Sequence, residues 1–382
     1  MMNRLGDYIR PVDVRNRDLK VERLLGISVT KEFIPSIANT IGTDMSSYKI
    51  VYPNQFVYIA DTSRRGDKIA IAYLKENEEP ALVSAIYTVF EVVDTNALDP
   101  EYLMMWFRRP EFDRYARFHS HGSAREVFDW EEMCEVQVPV PAIEKQRETV
   151  AEYNTLATRI ETNKKLISTL EQTAQTLYRH TFIDNIDPNN LPQGWRMGTL
   201  GEFGEVVTGK TPSSECPEDF GNDIPFVTPG DFQVYKKLAI GAERGLSIGG
   251  TQKLKTKVIP KKSILVTCIG SDMGKTSITT EDCITNQQIN AIKPKDNFTC
   301  QYLYYMLRDM EAILKSIALG GSTMPMLSKS SFEVIPVLIP SAETMQQFYQ
   351  SINAADDMIL NKFKENQTLT QMQTLLLSKM GV

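Results

Sequence analysis

Two stretches of the chain carry the same sparse pattern of apolar positions. Apolar residues recur mostly at gaps of three, four and seven, which is typical of a helix with one narrow apolar seam. The first seam uses positions 143, 150, 153, 157, 160, 167, 170, 174 and 177, and the second uses 345, 348, 352, 355, 359, 369, 372 and 376. Each seam predicts a helix of about 40 residues, roughly 60 Å long.

The ends of these helices are also marked in the sequence. Pro141 stands where helix starts tolerate proline, Ser341 is a candidate N-cap residue, and the turn-forming stretch 184–195 ends the first helix. Both seams contain Asn, Gln and Thr, so neither helix is expected to be stable alone. Each helix could pack on its own domain, or the two could pack on each other. We favour the second interpretation, because both stretches keep the same seam and neither has another obvious partner.

The remaining sequence predicts an α+β fold. Short runs rich in β-branched and aromatic residues alternate with turn-forming clusters, and no β-α-β rhythm of a doubly wound sheet is present. The predicted strands lie in 48–60, 81–93, 262–270 and 333–340, and further helices are predicted near 100–115 and 299–318.

The chain repeats itself. The segment VQVPVPAIEKQ at 136–146 aligns with IPVLIPSAETM at 335–345, at an offset of 199 residues. EYLMMWFR at 101–108 aligns with QYLYYMLR at 301–308, and LGDY near the start echoes LGEF at 200–203. Two tandem copies of one unit are therefore predicted, each a mixed domain followed by a long helix. The predicted segments are 1–140, 141–185, 186–340 and 341–382.

The stretch GEVVTGKT at 204–211 matches the phosphate-binding pattern G-x-x-x-x-G-K-[ST] letter for letter. A phosphate loop must lead into a helix whose N-terminus faces the phosphate. Here Pro212 and Pro217 forbid a regular helix, Glu205 brings negative charge, and Val206 and Val207 favour extended backbone. The pattern is therefore interpreted as a coincidence, and nucleotide hydrolysis is not expected. Since G-x-S-x-G and H-E-x-x-H motifs are also absent from the sequence, no catalytic residue is predicted.

Composition narrows the class of protein. The net charge of −6 and the pI near 5.4 argue, taken alone, against a nucleic-acid binder. Five cysteines without a C-x-x-C pair indicate ordinary thiols in a reducing cytoplasm. Three scattered histidines predict no metal site. No apolar run reaches the length of a membrane span and no leader is recognisable, so a cytoplasmic protein without membrane contact is expected.

Taken together, the repeat, the helices and several motifs resemble the specificity subunit of type I restriction–modification enzymes. LPQGW at 191–195, then LGEFGEVVTGKTPSS and IPFVTPGDF, resemble the opening of that family's target-recognition domain. CITNQQINAI at 283–292 resembles its middle, and GGSTMPMLSKSSFEVIPVLIP at 320–340 resembles its closing segment. The first copy departs from the pattern: it lacks the LPQGW lead and the GKTP turn but keeps PVPAIEKQ and the helix.

The resemblance implies a DNA reader without an active site. Each domain would read one part of a split, asymmetric target in double-stranded DNA. The long helices would pair as an antiparallel coiled coil that acts as a spacer and docks two methyltransferase subunits. Those subunits, rather than this chain, would bind S-adenosylmethionine. Restriction subunits join such complexes in some systems, and the sequence leaves their presence here open.

The acidic net charge does not exclude DNA binding, because phosphate contacts need only local basic clusters. Such clusters are Arg64, Arg65 and Lys68; Arg108, Arg109, Arg114 and Arg117; and Lys253, Lys255, Lys257, Lys261 and Lys262. Each basic residue could equally belong to a solvated face. Base reading requires hydrogen-bonding side chains on loops. The best placed loops each contain glycine, and they are 63–68, 121–126, 208–214, 271–276 and 320–325. The predicted DNA-binding residues are Arg64, Arg65, Lys68, His121, Arg125, Thr208, Lys210, Ser271, Lys275, Ser322 and Thr323.

One other function stays open at this point. Two binding domains on a helical spacer could form a protein–protein adaptor that never meets DNA, and the acidic pI favours it. The loop motifs favour the DNA reader. Salt-dependent binding to a split DNA sequence would separate the two.

Overall fold

In a computed structural model, the structure describes residues 2–36, 42–61, 68–121, 126–184, 186–270, 272–319 and 326–381. The chain divides into two compact units: Met1–Thr162 together with Glu365–Val382, and Asn163–Lys364. Both predicted helical stretches are divided between these units. The segment boundaries proposed from the sequence remain predictions.

The first unit mixes short helices with small antiparallel sheets. Its strands are β1 Met2–Arg4, β2 Ile9–Val12, β3 Leu25–Ile27, β4 Phe33–Pro35, β5 Lys49–Val51, β6 Gln55–Ile59, β7 Ala70–Tyr73, β8 Ala81–Val83, β9 Thr88–Val92 and β10 Gln137–Pro139. Its short helices are α1 Pro100–Phe107, α2 Pro110–Phe118 and α3 Trp130–Glu135. The central sheet has the order β2-β9-β6-β7, and each neighbouring pair is antiparallel.

The second unit has the same mixture and a larger sheet. Its strands are β11 Arg196–Thr199, β12 Gly204–Thr208, β13 Phe220–Gly221, β14 Ile224–Val227, β15 Leu238–Ala239, β16 Arg244–Leu246, β17 Ile264–Thr267, β18 Thr276–Thr279, β19 Ile284–Thr285, β20 Ile289–Pro294 and β21 Pro336–Ile339. Its short helices are α5 Ile248–Lys253, α6 Asn297–Asp309, α7 Glu311–Leu319 and α8 Lys329–Glu333. One sheet has the order β12-β20-β17-β18-β15, and another has the order β13-β16-β14-β19.

The two units share one folding plan. The order and directions of β12-β20-β17-β18 repeat those of β2-β9-β6-β7. The first strand of each unit pairs with the strand that precedes a long helix, β1 with β10 and β11 with β21. Even the following hydrogen bond recurs, from Leu5 N to Val136 O at 2.8 Å and from Leu200 N to Ile335 O at 3.0 Å. The internal repeat and the mixed α and β composition predicted from the sequence are confirmed.

Both predicted short helical regions exist, and each is divided into two helices. In the first unit the break falls at Arg109, which is extended because the next residue is Pro110. In the second unit the break falls at Met310. The predicted strand at 333–340 begins only at Pro336, because the residues before it form helix α8, which ends at Glu333. Ser328 caps the start of this helix by accepting a hydrogen bond from Ser331 N.

The two long helices are present as continuous elements, α4 Ile143–Phe182 and α9 Ala342–Lys379. Ser341 caps α9 as predicted, accepting a hydrogen bond from Thr344 N at 3.2 Å. The start of α4 is fixed by the fully buried Gln146. Its amide donates to Ala97 O at 2.9 Å and accepts from Asp99 N at 2.8 Å.

Segments of both long helices complete the core of each unit. In the first unit Tyr153 from α4 and Leu376 from α9 pack on the aromatic core. In the second, Tyr178 and Phe182 from α4 pack with Phe348 from α9, whose ring lies 5.2 Å from that of Phe182. The interpretation in which each helix packs only on the domain before it is therefore incomplete, since each unit uses residues from both.

Candidate nucleic-acid interface

Four neighbouring strands of the second unit end or begin at one end of their sheet. Strand β12 ends at Thr208 and its partner β20 begins at Ile289, while β17 ends at Thr267 and β18 begins at Thr276. The described residues of the three connections, 209–211, 285–288, and 268–270 with 272–275, therefore lie together. We call the exposed side of residues 208–211, 272–276 and 285–288 the strand-end surface.

Gly209 sets the spacing between two of these connections. A Cβ atom at this position would lie 2.2 Å from Asn286 O and 2.2 Å from Thr285 O. The close approach lets Lys210 N donate to Thr285 O at 2.9 Å and Gly209 N donate to Ile289 O at 3.3 Å. A glycine is required here by close backbone approach, which positions Lys210 at the surface.

The connection from Thr285 to Gln288 presents side-chain amides. Gln287 is exposed, and its Oε1 accepts a hydrogen bond from Thr211 Oγ1 at 2.7 Å. Asn286 Nδ2 donates to Gln288 Oε1 at 3.2 Å, and Gln288 N donates back to Asn286 Oδ1 at 3.0 Å. Gln287 Nε2 has no hydrogen-bond partner among the described residues, so the side chain has the donor and acceptor pair that can read an adenine edge.

The hairpin between β17 and β18 is fixed by a hydroxyl. Thr267 Oγ1 donates to Asp272 O at 2.5 Å and accepts from Lys275 N at 3.0 Å. Gly274 supplies a left-handed backbone with φ of +88°. Lys275 Nζ lies 2.7 Å from Asp272 Oδ1, so part of its charge is compensated inside the hairpin.

Three predicted DNA-binding residues of this unit therefore have distinct environments. Lys210 is exposed and forms no ion pair with the described residues. Thr208 is half-buried and donates to Asn290 Oδ1 at 2.6 Å, and Lys275 is paired with Asp272. Of the three, Lys210 is the one whose charge is directed at solvent without a partner in the described part of the chain.

The lysine cluster at 253–262 is partly structural. Lys257 Nζ donates to Thr208 O at 3.0 Å, which ties the cluster to the strand-end surface. Lys253 Nζ lies 2.7 Å from the buried Asp219. Hydrogen bonding to Asp219 raises the pKa of Lys253, which keeps this side chain cationic. Lys255, Lys261 and Lys262 are exposed.

The first unit has the corresponding arrangement at the end of β6. Asp61 and His121 each form a β-bridge to Val127, and Phe128 N donates to Ala60 O at 2.8 Å. Both Lys68 and His121 are exposed. Two residues predicted from separate loops are thus placed on segments that meet at the equivalent end of the first sheet.

Polar partners already occupy several charged groups of this region. The Glu132 carboxylate lies near both histidines: His119 Nδ1 is 3.1 Å from Oε2, and His121 Nε2 is 3.6 Å from Oε1. Arg109, a member of a basic cluster in the sequence, is buried with its guanidinium 4.2 Å from the Trp106 ring centre. It cannot contact phosphate from there, because its side chain is part of the packed interior. Arg117 is ion-paired with Glu126.

The other predicted DNA-binding residues lie outside the described residues. They are Arg64, Arg65, Arg125, Ser271, Ser322 and Thr323. Their roles stay predictions.

The structure also answers the phosphate-loop question. Residues 204–208 of the pattern form strand β12, in which Glu205 pairs with Lys293 across to β20. The Lys210 amide is already bonded to Thr285 O, and no helix begins among residues 209–216. The backbone donors that would hold a phosphate are therefore not assembled, as the sequence argument predicted.

Sequence reasoning missed Gln287 and its neighbours as candidate base readers. A signal was present, because the run TNQQ at 285–288 lies between two β-rich segments and consists of side chains that form directional hydrogen bonds.

Among the described residues no group of three or more His, Cys, Asp or Glu side chains is arranged to hold a metal ion. None of the helices in the described ranges combines the length and apolarity needed to cross a membrane.

Comparisons with known proteins agree on one family. A family model described as the type I restriction modification DNA specificity domain matches residues 192–371. The HindI specificity subunit of Haemophilus influenzae is 26% identical over 369 residues, covering 77% of this chain and 80% of the relative. The MjaIX specificity subunit of Methanocaldococcus jannaschii is 34% identical over 186 residues, covering 48% of this chain and 43% of the relative.

A solved structure shares the fold. The S subunit of the type I restriction–modification system from M. genitalium aligns with a TM-score of 0.64 and 14% sequence identity. The alignment covers 100% of this chain and 95% of that one. At this identity the likeness establishes the architecture and nothing about the residues at the strand-end surface.

Proposed function

We propose that the chain is a specificity subunit of a type I restriction–modification enzyme and that it reads a bipartite, asymmetric DNA target, because a model of that family's DNA specificity domain matches residues 192–371 and the similar curated proteins are specificity subunits. Each unit would contact one half-site through the loops at its strand ends. The two units follow one plan but carry different side chains there, so the two half-sites should differ in sequence.

One observation carries this proposal. In the second unit the backbone of three connections is held by main-chain hydrogen bonds, and the side chains of Lys210 and Gln287 remain exposed on the strand-end surface. A lysine suits a phosphate or a guanine edge, and a glutamine amide suits adenine. A rigid platform with exchangeable polar side chains is what sequence reading requires.

The chain would act without catalysis of its own. Two methyltransferase subunits, and restriction subunits where the system has them, would be its partners, and S-adenosylmethionine would be bound by the methyltransferase subunits. This assignment accounts for a chain in which no catalytic motif was recognised and in which the phosphate-loop pattern forms a strand.

The helices α4 and α9 would pair as an antiparallel coiled coil and set the distance between half-sites. Two contacts support this proposal: Arg159 Nε donates to Glu365 Oε1 at 2.6 Å within the first unit, and the Tyr178 and Phe348 rings meet at 6.3 Å within the second. The same helices would offer the surface on which the methyltransferase subunits dock.

A gel-shift titration of the chain with its methyltransferase partner tests the proposal. The target is first obtained by methylome sequencing of cells that carry both genes. A duplex with both half-sites should bind more tightly than a scrambled duplex, with affinity falling as salt rises. Equal binding of the two duplexes, or binding that ignores salt, would instead favour the protein–protein adaptor.

The side chains are tested with matched variants. Lys210→Ala should weaken binding about equally across sequences and lower the salt slope by roughly one if it contacts phosphate. Gln287→Ala should relax discrimination at one position of the second half-site by about 1–3 kcal/mol. Lys295→Ala and Asn297→Ala are the controls, because both residues are exposed beyond the opposite end of β20. If the controls weaken binding as much as the test variants, the strand-end surface is not the reading surface.

A further inference from the structure

A buried lysine lies beside Ile69, the residue that precedes strand β7 of the first unit. The Lys31 side chain is 5% exposed, and its Nζ lies 2.5 Å from Asp113 Oδ1 of helix α2. The same Nζ donates to Ile69 O at 2.8 Å. Lys31 belongs to the turn between β3 and β4, so the pair joins two elements that are distant in sequence.

The Asp113 carboxylate binds the backbone N–H of Ile69, the residue whose carbonyl oxygen accepts from Lys31. Asp113 Oδ1 accepts a hydrogen bond from Ile69 N at 3.2 Å. Both backbone groups of Ile69 are therefore bonded to one ion pair, and the Ile69 side chain is fully buried. The ammonium also lies 5.4 Å from the Phe112 ring centre, which places a third contact around the lysine.

This arrangement does more than hold the core together. Burying a lysine is costly, and apolar residues of similar volume often replace a buried ion pair with no loss of stability. An apolar pair could not, however, bond both the N–H and the C=O of Ile69. Burial lowers the pKa of Lys31, and the hydrogen bond and charge of Asp113 oppose that shift. Lys68 is joined to Ile69 by a peptide bond, so the bonds that fix the Ile69 backbone also fix the point from which Lys68 extends.

We propose that Lys31 and Asp113 are positioning residues for the first half-site. By fixing the backbone at Ile69, they set the position and direction in which the adjacent Lys68 leaves the sheet toward DNA. This inference rests on the proposed function. A binding constellation must be held to within about 0.5 Å to remain selective, so loosening this anchor should relax discrimination at the first half-site.

The test uses the full chain assembled with its methyltransferase subunits. Binding is measured on three duplexes: the intact target, one with the first half-site scrambled and one with the second scrambled. Lys31→Met should reduce discrimination at the first half-site by roughly tenfold and leave the second unchanged. The double variant Lys31→Met with Asp113→Leu keeps the core filled, so it serves if the single variant fails to fold, and the same result is expected.

A second buried lysine provides the matched control. Lys237 is 1% exposed, is ion-paired with Asp356, and donates to Tyr305 Oη at 3.0 Å within the second unit. Lys237→Met, and Lys237→Met with Asp356→Leu, remove a comparable pair. Their midpoints of thermal unfolding should shift as those of the Lys31 variants do, with discrimination at the first half-site preserved.

The outcomes are distinct. Lys31 variants that fold and still discriminate the first half-site as the wild type does would overturn the positioning role. An equal loss at both half-sites would also overturn it, because general damage to the fold would then be the cause. If the wild-type complex discriminates neither half-site, the proposed function itself fails.

Discussion

Gly209 offers the sharpest test of how the second unit builds its strand-end surface. A methyl group added at this position would lie 2.2 Å from three atoms: Thr285 O, Thr285 Oγ1 and Asn286 O. Two of the three are backbone oxygens, which cannot rotate away as the end of a side chain can. Gly209→Ala must therefore move one connection away from the other.

The size of the effect follows from these distances. Ordinary carbon–oxygen contacts begin near 3.4 Å, so the two connections must separate by about 1 Å. At that separation the hydrogen bond from Lys210 N to Thr285 O, now 2.9 Å, is lost. Overpacking of this kind lowers the free energy of unfolding by about 1–3 kcal/mol, and this range includes the cost of the lost hydrogen bond. A unit of this size should then unfold about 2–4 °C lower for each kcal/mol.

Thermal unfolding of Gly209→Ala, followed by binding to the duplexes described above, measures both consequences. Affinity for the second half-site should fall because Lys210 and Gln287 change their spacing, and discrimination at the first should be kept. Gly230→Ala is the control, since its added methyl group would meet Thr228 Oγ1 at an ordinary 3.6 Å. An unfolding midpoint and a second-half-site affinity that both equal those of the wild type would refute the reasoning.

Two further predictions concern the long helices. Phe348→Ala should lower the free energy of unfolding by about 3–5 kcal/mol, because this ring is 3% exposed in the core of the second unit. Met358→Ala, on an exposed position of the same helix, should change it by less than about 0.5 kcal/mol in the same denaturant titration. Inserting one helical turn, about 5.4 Å, within residues 155–175 should change the distance between methylated half-sites and keep their sequences. Unchanged spacing in the methylome would contradict the spacer role of the helices.

The long helices and the internal repeat could be predicted because their signals are local or self-similar. A seam at gaps of three, four and seven needs no knowledge of what it packs against. The repeat aligns Val136 with Ile335, and in the structure the carbonyl oxygens of both accept equivalent hydrogen bonds, from Leu5 N and Leu200 N. The division of the helix near 100–115 was equally readable in principle, because Pro110 forces the residue before it into an extended conformation.

Side-chain partners could not be predicted, because they depend on contacts between distant segments. Arg109 counted as a basic candidate in the sequence, yet it is buried against Trp106. Nothing in the sequence distinguishes Lys31 from a surface lysine, yet it is buried and bonded to Asp113 and Ile69 O. Gln287 was overlooked because a glutamine becomes a candidate reader only when the strand order brings its loop beside Lys210.

Under the proposed function, these placements explain how an acidic chain would read DNA. The connections of the second unit are fixed by bonds that involve the main chain: Lys210 N to Thr285 O, Lys275 N to Thr267 Oγ1 and Lys257 Nζ to Thr208 O. The two bonds donated by main-chain amides do not depend on what side chain Lys210 or Lys275 carries. Exposed side chains can therefore be exchanged at small cost to stability, so under the proposed function the chain would change its target while its fold and net charge stay almost the same.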